Sequence, residues 1–231
     1  MIAENFRKIR AEIAECVRNS GRDPSSIELI AVSKTFGVES VREAFGAGAR
    51  DFGENFAQEL REKQSQLADL PIRWHFIGHL QTNKVKTIAP LVTLVHSLDS
   101  FRLAEEISHR AAQANRSIDV LVEVHTTDEA TKYGVPPDQV LPLVRDLSGL
   151  PNLRVQGLMT MGPFSDDAES SRTCFRLTAA LARDIAAQGI QGVEMRHLSM
   201  GMTHDFRIAI EEGATMIRIG TAIFGKRTKH V

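Results

Sequence analysis

The chain has 231 residues, 42% of them hydrophobic and 25% charged, the make-up of an ordinary globular protein. Its 28 basic and 29 acidic residues give a net charge of −1 with no Lys/Arg block, which argues against nucleic acid or an anionic membrane as partner. No run is apolar enough for a transmembrane helix or signal peptide, and the two cysteines, Cys16 and Cys174, have no metal-ligand or disulfide pattern, so a reducing cytoplasm is expected.

Ile2, Phe6, Ile9, Ile13 and Val17 recur at steps of four and three, the stripe of an amphipathic helix that "SGRDPSS" ends. The first strand is predicted over 27–33, apolar through Ile27, Leu29, Ile30, Ala31 and Val32 and followed by Lys34 and Thr35. Beyond it, helices at 38–47, 54–68, 82–89, 100–114, 137–148, 166–187 and 204–212 alternate with strands. Those strands are predicted at 50–53, 73–77, 92–96, 118–125, 153–159, 194–198 and 215–219. Gly48 and Gly213 stand where C-cap glycines end a helix before a strand. Eight strands interleaved with helices imply parallel pairing through right-handed crossovers. The expected fold is α/β, a single closed (β/α)8 barrel of the TIM type with an extra N-terminal helix, occupying 1–231 as one domain. A doubly wound open sheet is the alternative, weakened because no Gly-x-Gly-x-x-Gly follows the first strand.

In such a barrel, active residues gather at the C-terminal strand ends, and phosphate commonly binds the loops after strands seven and eight. Lys34 closes strand one, on the same face as Ile30 and Val32. Its plain reading is a solvated lysine. The seventh and eighth strand ends read "HLSMGMTHD" and "IRIGTAIFG" and combine glycine with hydroxyls: Ser199, Gly201 and Thr203 in one, Gly220 and Thr221 in the other. Each alone could be a turn with a helix cap; together they suit a phosphate, because glycine admits backbone N–H groups to an anion. Arg218 should face the barrel interior, since Ile217 and Ile219 face the helices. A guanidinium there needs a partner, and an ion pair with Glu54 or Glu123 is the structural reading. Barrel closure would instead set Arg218 beside Lys34. Two cations next to two phosphate-type loops then suit a phosphorylated aldehyde that condenses with the lysine amine.

The motifs "AVSKT" (31–35), "FGEN" (52–55), "WHFIGHLQTNK" (74–84), "GLMTM" (157–161), "LSMGMT" (198–203) and "RIGTAIFG" (218–225) follow one another in order. With them the chain resembles the pyridoxal phosphate homeostasis proteins, relatives of the N-terminal barrel of alanine racemase, over nearly its whole length. The resemblance implies a fold-type III barrel carrying pyridoxal 5'-phosphate (PLP) on Lys34 as a Schiff base. It further implies that Ser199, Gly201, Gly220 and Thr221 hold the phosphate, that Arg218 faces the pyridine nitrogen, and that Asn55 lines the cofactor. Phe56 and His125 depart from the family pattern, where tyrosine and asparagine are common.

His75 and His79 have the i, i+4 spacing of a zinc pair, but they straddle a strand end and Gly78 with no Glu after His75 and no third ligand in view, so no metal is expected. The expected function is a carrier, buffer or regulator of PLP in vitamin B6 homeostasis rather than an enzyme. Apo PLP-dependent enzymes are its expected partners, and a monomer its expected state. The alternatives are a racemase-like enzyme of low activity and a Schiff-base aldolase. An arginine on the pyridine nitrogen weakens the ring as an electron sink, and racemases of this fold add a second acid/base that this sequence does not obviously supply.

Overall fold

The computed structural model describes residues 1–127 and 133–226. Eight parallel strands close in sequence order into a barrel: β1 (Glu28–Val32), β2 (Asp51–Glu54), β3 (Arg73–Phe76), β4 (Leu94–Leu98), β5 (Ile118–Glu123), β6 (Leu153–Met159), β7 (Val193–Ser199) and β8 (Met216–Ile219). Closure is made by β8 on β1, where Arg218 stands opposite Ile30 and Ile219 opposite Ala31. The expected (β/α)8 barrel is the observed one.

Helix α1 (Ile2–Asn19) precedes the barrel and buries Phe6, Ile9, Ile13 and Val17, the stripe its periodicity marks. Seven crossover helices follow: α2 (Val38–Gly46), α3 (Ala57–Gln66), α4 (Thr82–Ile88), α5 (Phe101–Gln113), α6 (Pro137–Leu147), α7 (Arg172–Ala187) and α8 (Phe206–Glu211). A one-turn helix, α9 (Thr221–Phe224), follows β8 directly and is too short to show in a periodicity.

Most boundaries shift by one or two residues or more from the sequence reading, and three of the shifts have a clear local cause. The helix predicted from 54 begins at Ala57, because Glu54 completes β2. The helix predicted from 166 begins at Arg172, preceded by a 3-10 turn in which Asp167 Oδ1 accepts from the Glu169 N–H at 3.0 Å. Strand β4 starts at Leu94 rather than 92, because the Val92 N–H still donates to Ile88 O at the end of α4.

Most of the apolar core lies between strands and helices, and Ile217 and Ile219 belong to it. A small apolar cluster of Leu94, Leu121, Met159 and Met216 occupies the barrel interior. Strand alternation places Arg218 on the same inward side as Met216.

Candidate functional site

Lys34 lies in the turn just beyond β1, half-buried. Both of its neighbours are fixed. The buried Ser33 hydroxyl donates to Glu54 Oε1 at 2.6 Å, and Lys63 Nζ donates to Ser33 O and to Glu54 Oε1, each at 2.7 Å. On the other side the Thr35 N–H donates to Glu59 Oε1 at 2.6 Å, holding Thr35 at φ +69°. Lys63 also pairs with Glu59 at 2.8 Å, so one buried lysine on α3 ties the whole turn to β2. Burial raises the Glu54 carboxyl above its usual range against the pull of Lys63.

The same barrel end holds the glycine loops. Gly201 follows β7 at φ +92°, and a Cβ there would come within 2.5 Å of the Ala209 Cβ, so both conformation and space call for glycine. Gly220 caps α9, and Thr221 begins it with its side chain exposed. Ring stacking of Phe36 on Phe224, centroids 5.2 Å apart, joins the loop after Lys34 to α9. At the end of β2, Asn55 Oδ1 is buried without a hydrogen-bond partner among the described residues. Gly78 of "WHFIGHLQTNK" explains part of that motif: a Cβ there would sit 2.5 Å from Asn55 O. Phe56 is exposed at the rim.

Arg218 is 4% exposed. Its Nη1 donates to Ser199 Oγ at 2.6 Å and its Nη2 to Thr160 O at 2.9 Å, both neutral acceptors. The ion pair with Glu54 or Glu123 is not formed: Glu54 is committed to Lys63, and Glu123 acts on Arg218 only as a more distant charge. Burial lowers the guanidinium to about 10, with Asp205 and Glu123 opposing. Ser199 itself is fully buried, its hydroxyl held between Arg218 and His96 Nδ1 at 2.8 Å. That side chain is engaged inside the barrel by Arg218 and His96.

His75 and His79 part company. His75 is buried in the interior against His96 and Asp51, while His79 stacks on Tyr133 at the rim, centroids 3.7 Å apart. Among the described residues no three His, Cys, Asp or Glu side chains gather as a metal site would need. Sequence reasoning missed Asp51, His96 and Thr160. A signal existed in "RDFG" and "VHSL", where a polar residue interrupts a strand otherwise apolar. One open surface groove lies on the flank of α4 and α5 around Asn83, Arg102 and His109, and another runs from Asn83 and Arg102 to His79, Asp99 and Tyr133 at the rim.

The family described as alanine racemase, N-terminal domain, matches residues 2–228. The pyridoxal phosphate homeostasis protein of Aquifex aeolicus is 43% identical over 97% of each chain. The human protein of that name is 36% identical over 96% of this chain and 85% of its own. A solved structure described as PipY from Synechococcus elongatus, with PLP bound, superposes at a TM-score of 0.87 with 35% identity, covering 97% of this chain and 100% of that one. Alanine racemase of Clostridium difficile shares the fold at a TM-score of 0.72 and 13% identity, with 58% of its chain covered.

Proposed function

Because the chain belongs to the family of pyridoxal phosphate homeostasis proteins, we propose that it binds PLP on Lys34 and serves as a PLP carrier and buffer. The observation that carries the reading is Arg218. The direct partners of this buried guanidinium are both neutral acceptors, Asp205 and Glu123 act on it only from farther away, and its remaining N–H donors can serve a ligand. The pyridine nitrogen is an acceptor of the right kind for it. Asn55 Oδ1, buried without a partner at the neighbouring strand end, is a second polar atom that a bound ring would satisfy.

Lys34 supplies the amine that condenses with the cofactor's aldehyde, with loss of water, to a Schiff base. Gly201 and Gly220 admit backbone N–H groups to the phosphate, and Thr221 adds a hydroxyl at the start of α9, where first-turn N–H groups have no partner within the helix. Ser199 contributes at the ring end by holding Arg218 rather than by touching the phosphate. Arg218 donates to the pyridine nitrogen and so keeps it unprotonated, which suits storage over turnover because the ring is then a weak electron sink. Delivery to apo PLP-dependent enzymes, a monomeric state and a cytoplasmic setting complete the proposal. No helix among the described residues is long and apolar enough to cross a membrane.

The test is the visible spectrum of protein mixed with PLP, followed by borohydride reduction and peptide mapping. A yellow protein labelled on Lys34, with no colour in Lys34→Ala, is the expected outcome. A label mainly on Lys84, or on Lys132 outside the described residues, would overturn the assignment. A colourless protein would favour the aldolase reading. Mixing the loaded protein with an apo PLP enzyme and following its activation tests delivery.

A further inference from the structure

The polar side chains inside the barrel form one continuous hydrogen-bonded chain. From Arg218 Nη1 it passes to Ser199 Oγ (2.6 Å), then from that oxygen to His96 Nδ1 (2.8 Å). It continues from His96 Nε2 to His75 Nδ1 (2.9 Å) and from His75 Nε2 to Asp51 Oδ1 (3.1 Å). Arg73 closes the far end, its Nε donating to Asp51 Oδ1 at 2.6 Å. Asp51 and Arg73 are the first residues of β2 and β3, while Ser199 is the last of β7. The chain therefore crosses the barrel from its N-terminal face to the site, and every member from Asp51 to Arg218 is buried.

Its two ends dictate the direction of every bond between them. A guanidinium only donates, so Ser199 must accept from Arg218. Burial pushes the Asp51 carboxyl up, but the bonds from His75 and Arg73 outweigh it and hold the group below the usual range, hence anionic. A carboxylate only accepts, so His75 Nε2 must carry a hydrogen. Burial above all, with the Arg218 charge adding to it, pushes His96 well below the ordinary histidine range, so it is neutral with one N–H. If that hydrogen were on Nδ1, His75 would have to be protonated on both nitrogens, and the Ser199 hydrogen would lose its acceptor. With the hydrogen on Nε2, each junction has one donor and one acceptor. Ser199 then donates to His96, His96 to His75, and His75 to Asp51.

We propose that Asp51, His75 and His96 are positioning residues for Arg218: they turn the Ser199 hydroxyl so that its lone pairs face the guanidinium, which is thereby held as a fixed donor toward the pocket. The recipient of that donation, the pyridine nitrogen of PLP, rests on the function proposed above. The tautomers do not. Orientation also keeps the Ser199 hydrogen on His96, which is why that hydroxyl is not offered to a phosphate.

Nitrogen-15 NMR of histidine-labelled protein without cofactor tests the direction. Both His75 and His96 should carry a hydrogen on Nε2 and none on Nδ1; a hydrogen on Nδ1 of His96 would overturn the proposal. PLP titrations of two variants then test the consequence. His96→Phe cannot accept from Ser199, and its apparent affinity should fall about tenfold, the scale of one hydrogen bond to a charged group. Its visible band should move as well. In His96→Gln the amide can still accept from Ser199 and donate to His75, so much of the affinity and the native band should return. Wild-type affinity and spectrum in His96→Phe would count against a positioning role. Should that variant fail to fold by circular dichroism, the wild-type tautomers and the His96→Gln spectrum still decide. A wild-type protein that takes up no PLP yet shows both Nε2–H tautomers would overturn the function proposed above and leave the relay standing.

Discussion

Glu123 is the last residue of β5, buried beside the pocket, and burial raises its carboxyl to about 7, with Arg218 opposing the rise and Asp99 adding to it. The folded protein therefore holds a proton that the unfolded chain, titrating near 4.5, has already released. Between those two values the stability contributed by this group is lost as pH rises. Glu123→Gln should be more stable than the wild type at pH 8, by up to roughly 3 kcal/mol for a shift of this size, and the gap should close near pH 4.5. Urea unfolding at the two pH values measures it, and an equal gap at both would remove Glu123 as its source. Residues of this kind mark the limit of what the sequence discloses. Lys34 and Arg218 were legible because a strand-end lysine and an inward arginine are chemically conspicuous. Asp51, His75 and His96 lie on three different strands, and only the register of the closed barrel brings them to one chain of bonds.

Strands β6 and β7 approach closely at Gly157, which adopts φ +152° where the pairing register shifts between Val155 and Gly157. A Cβ there would lie 1.9 Å from His197 O, a backbone atom with no side-chain freedom to yield. Gly157→Ala must separate the two strands, and the damage reaches the site. Just above, the Thr160 N–H donates to Ser199 O at 3.1 Å, while Thr160 O accepts from Arg218. We expect a loss of about 3 kcal/mol or more in urea unfolding, the range of strained backbone positions, with weaker PLP uptake in whatever folds. A loss under about 1 kcal/mol, within the scatter of ordinary substitutions, would show that the strands adjust freely. Periodicity disclosed every crossover element, because amphipathic helices and apolar strand runs carry their pattern locally. It set β4 two residues early because Val92 is apolar enough for a strand yet hydrogen-bonds as the end of α4. It could not find α9, whose four residues hold one turn and no repeat.

At the scale of the whole molecule, the alternation of elements was enough to predict the closed barrel, and closure is what brings Lys34 and α9 to one end. What the barrel does with a bound cofactor depends on which acids and bases face it. Racemisation of an amino acid needs a proton removed from one face of Cα and returned on the other. Lys34 can serve one face. The single tyrosine, Tyr133, is 53% exposed and lies flat against His79 at the rim, the rings 10° from parallel. Held there, it is an element of the outer surface, not a second base for the pocket. On the binding proposed above, Arg218 would work in the same direction by denying the ring a protonated nitrogen. A general acid or base contributes about 10²–10⁴ in rate, so its lack should leave trace turnover only. Exchange of the Cα hydrogen of L-alanine in heavy water, followed by proton NMR on the loaded protein, measures this. Expected is slow exchange that Tyr133→Phe does not change. Fast exchange abolished by Lys34→Ala would turn the carrier into an enzyme, and its loss in Tyr133→Phe would make that tyrosine the second base.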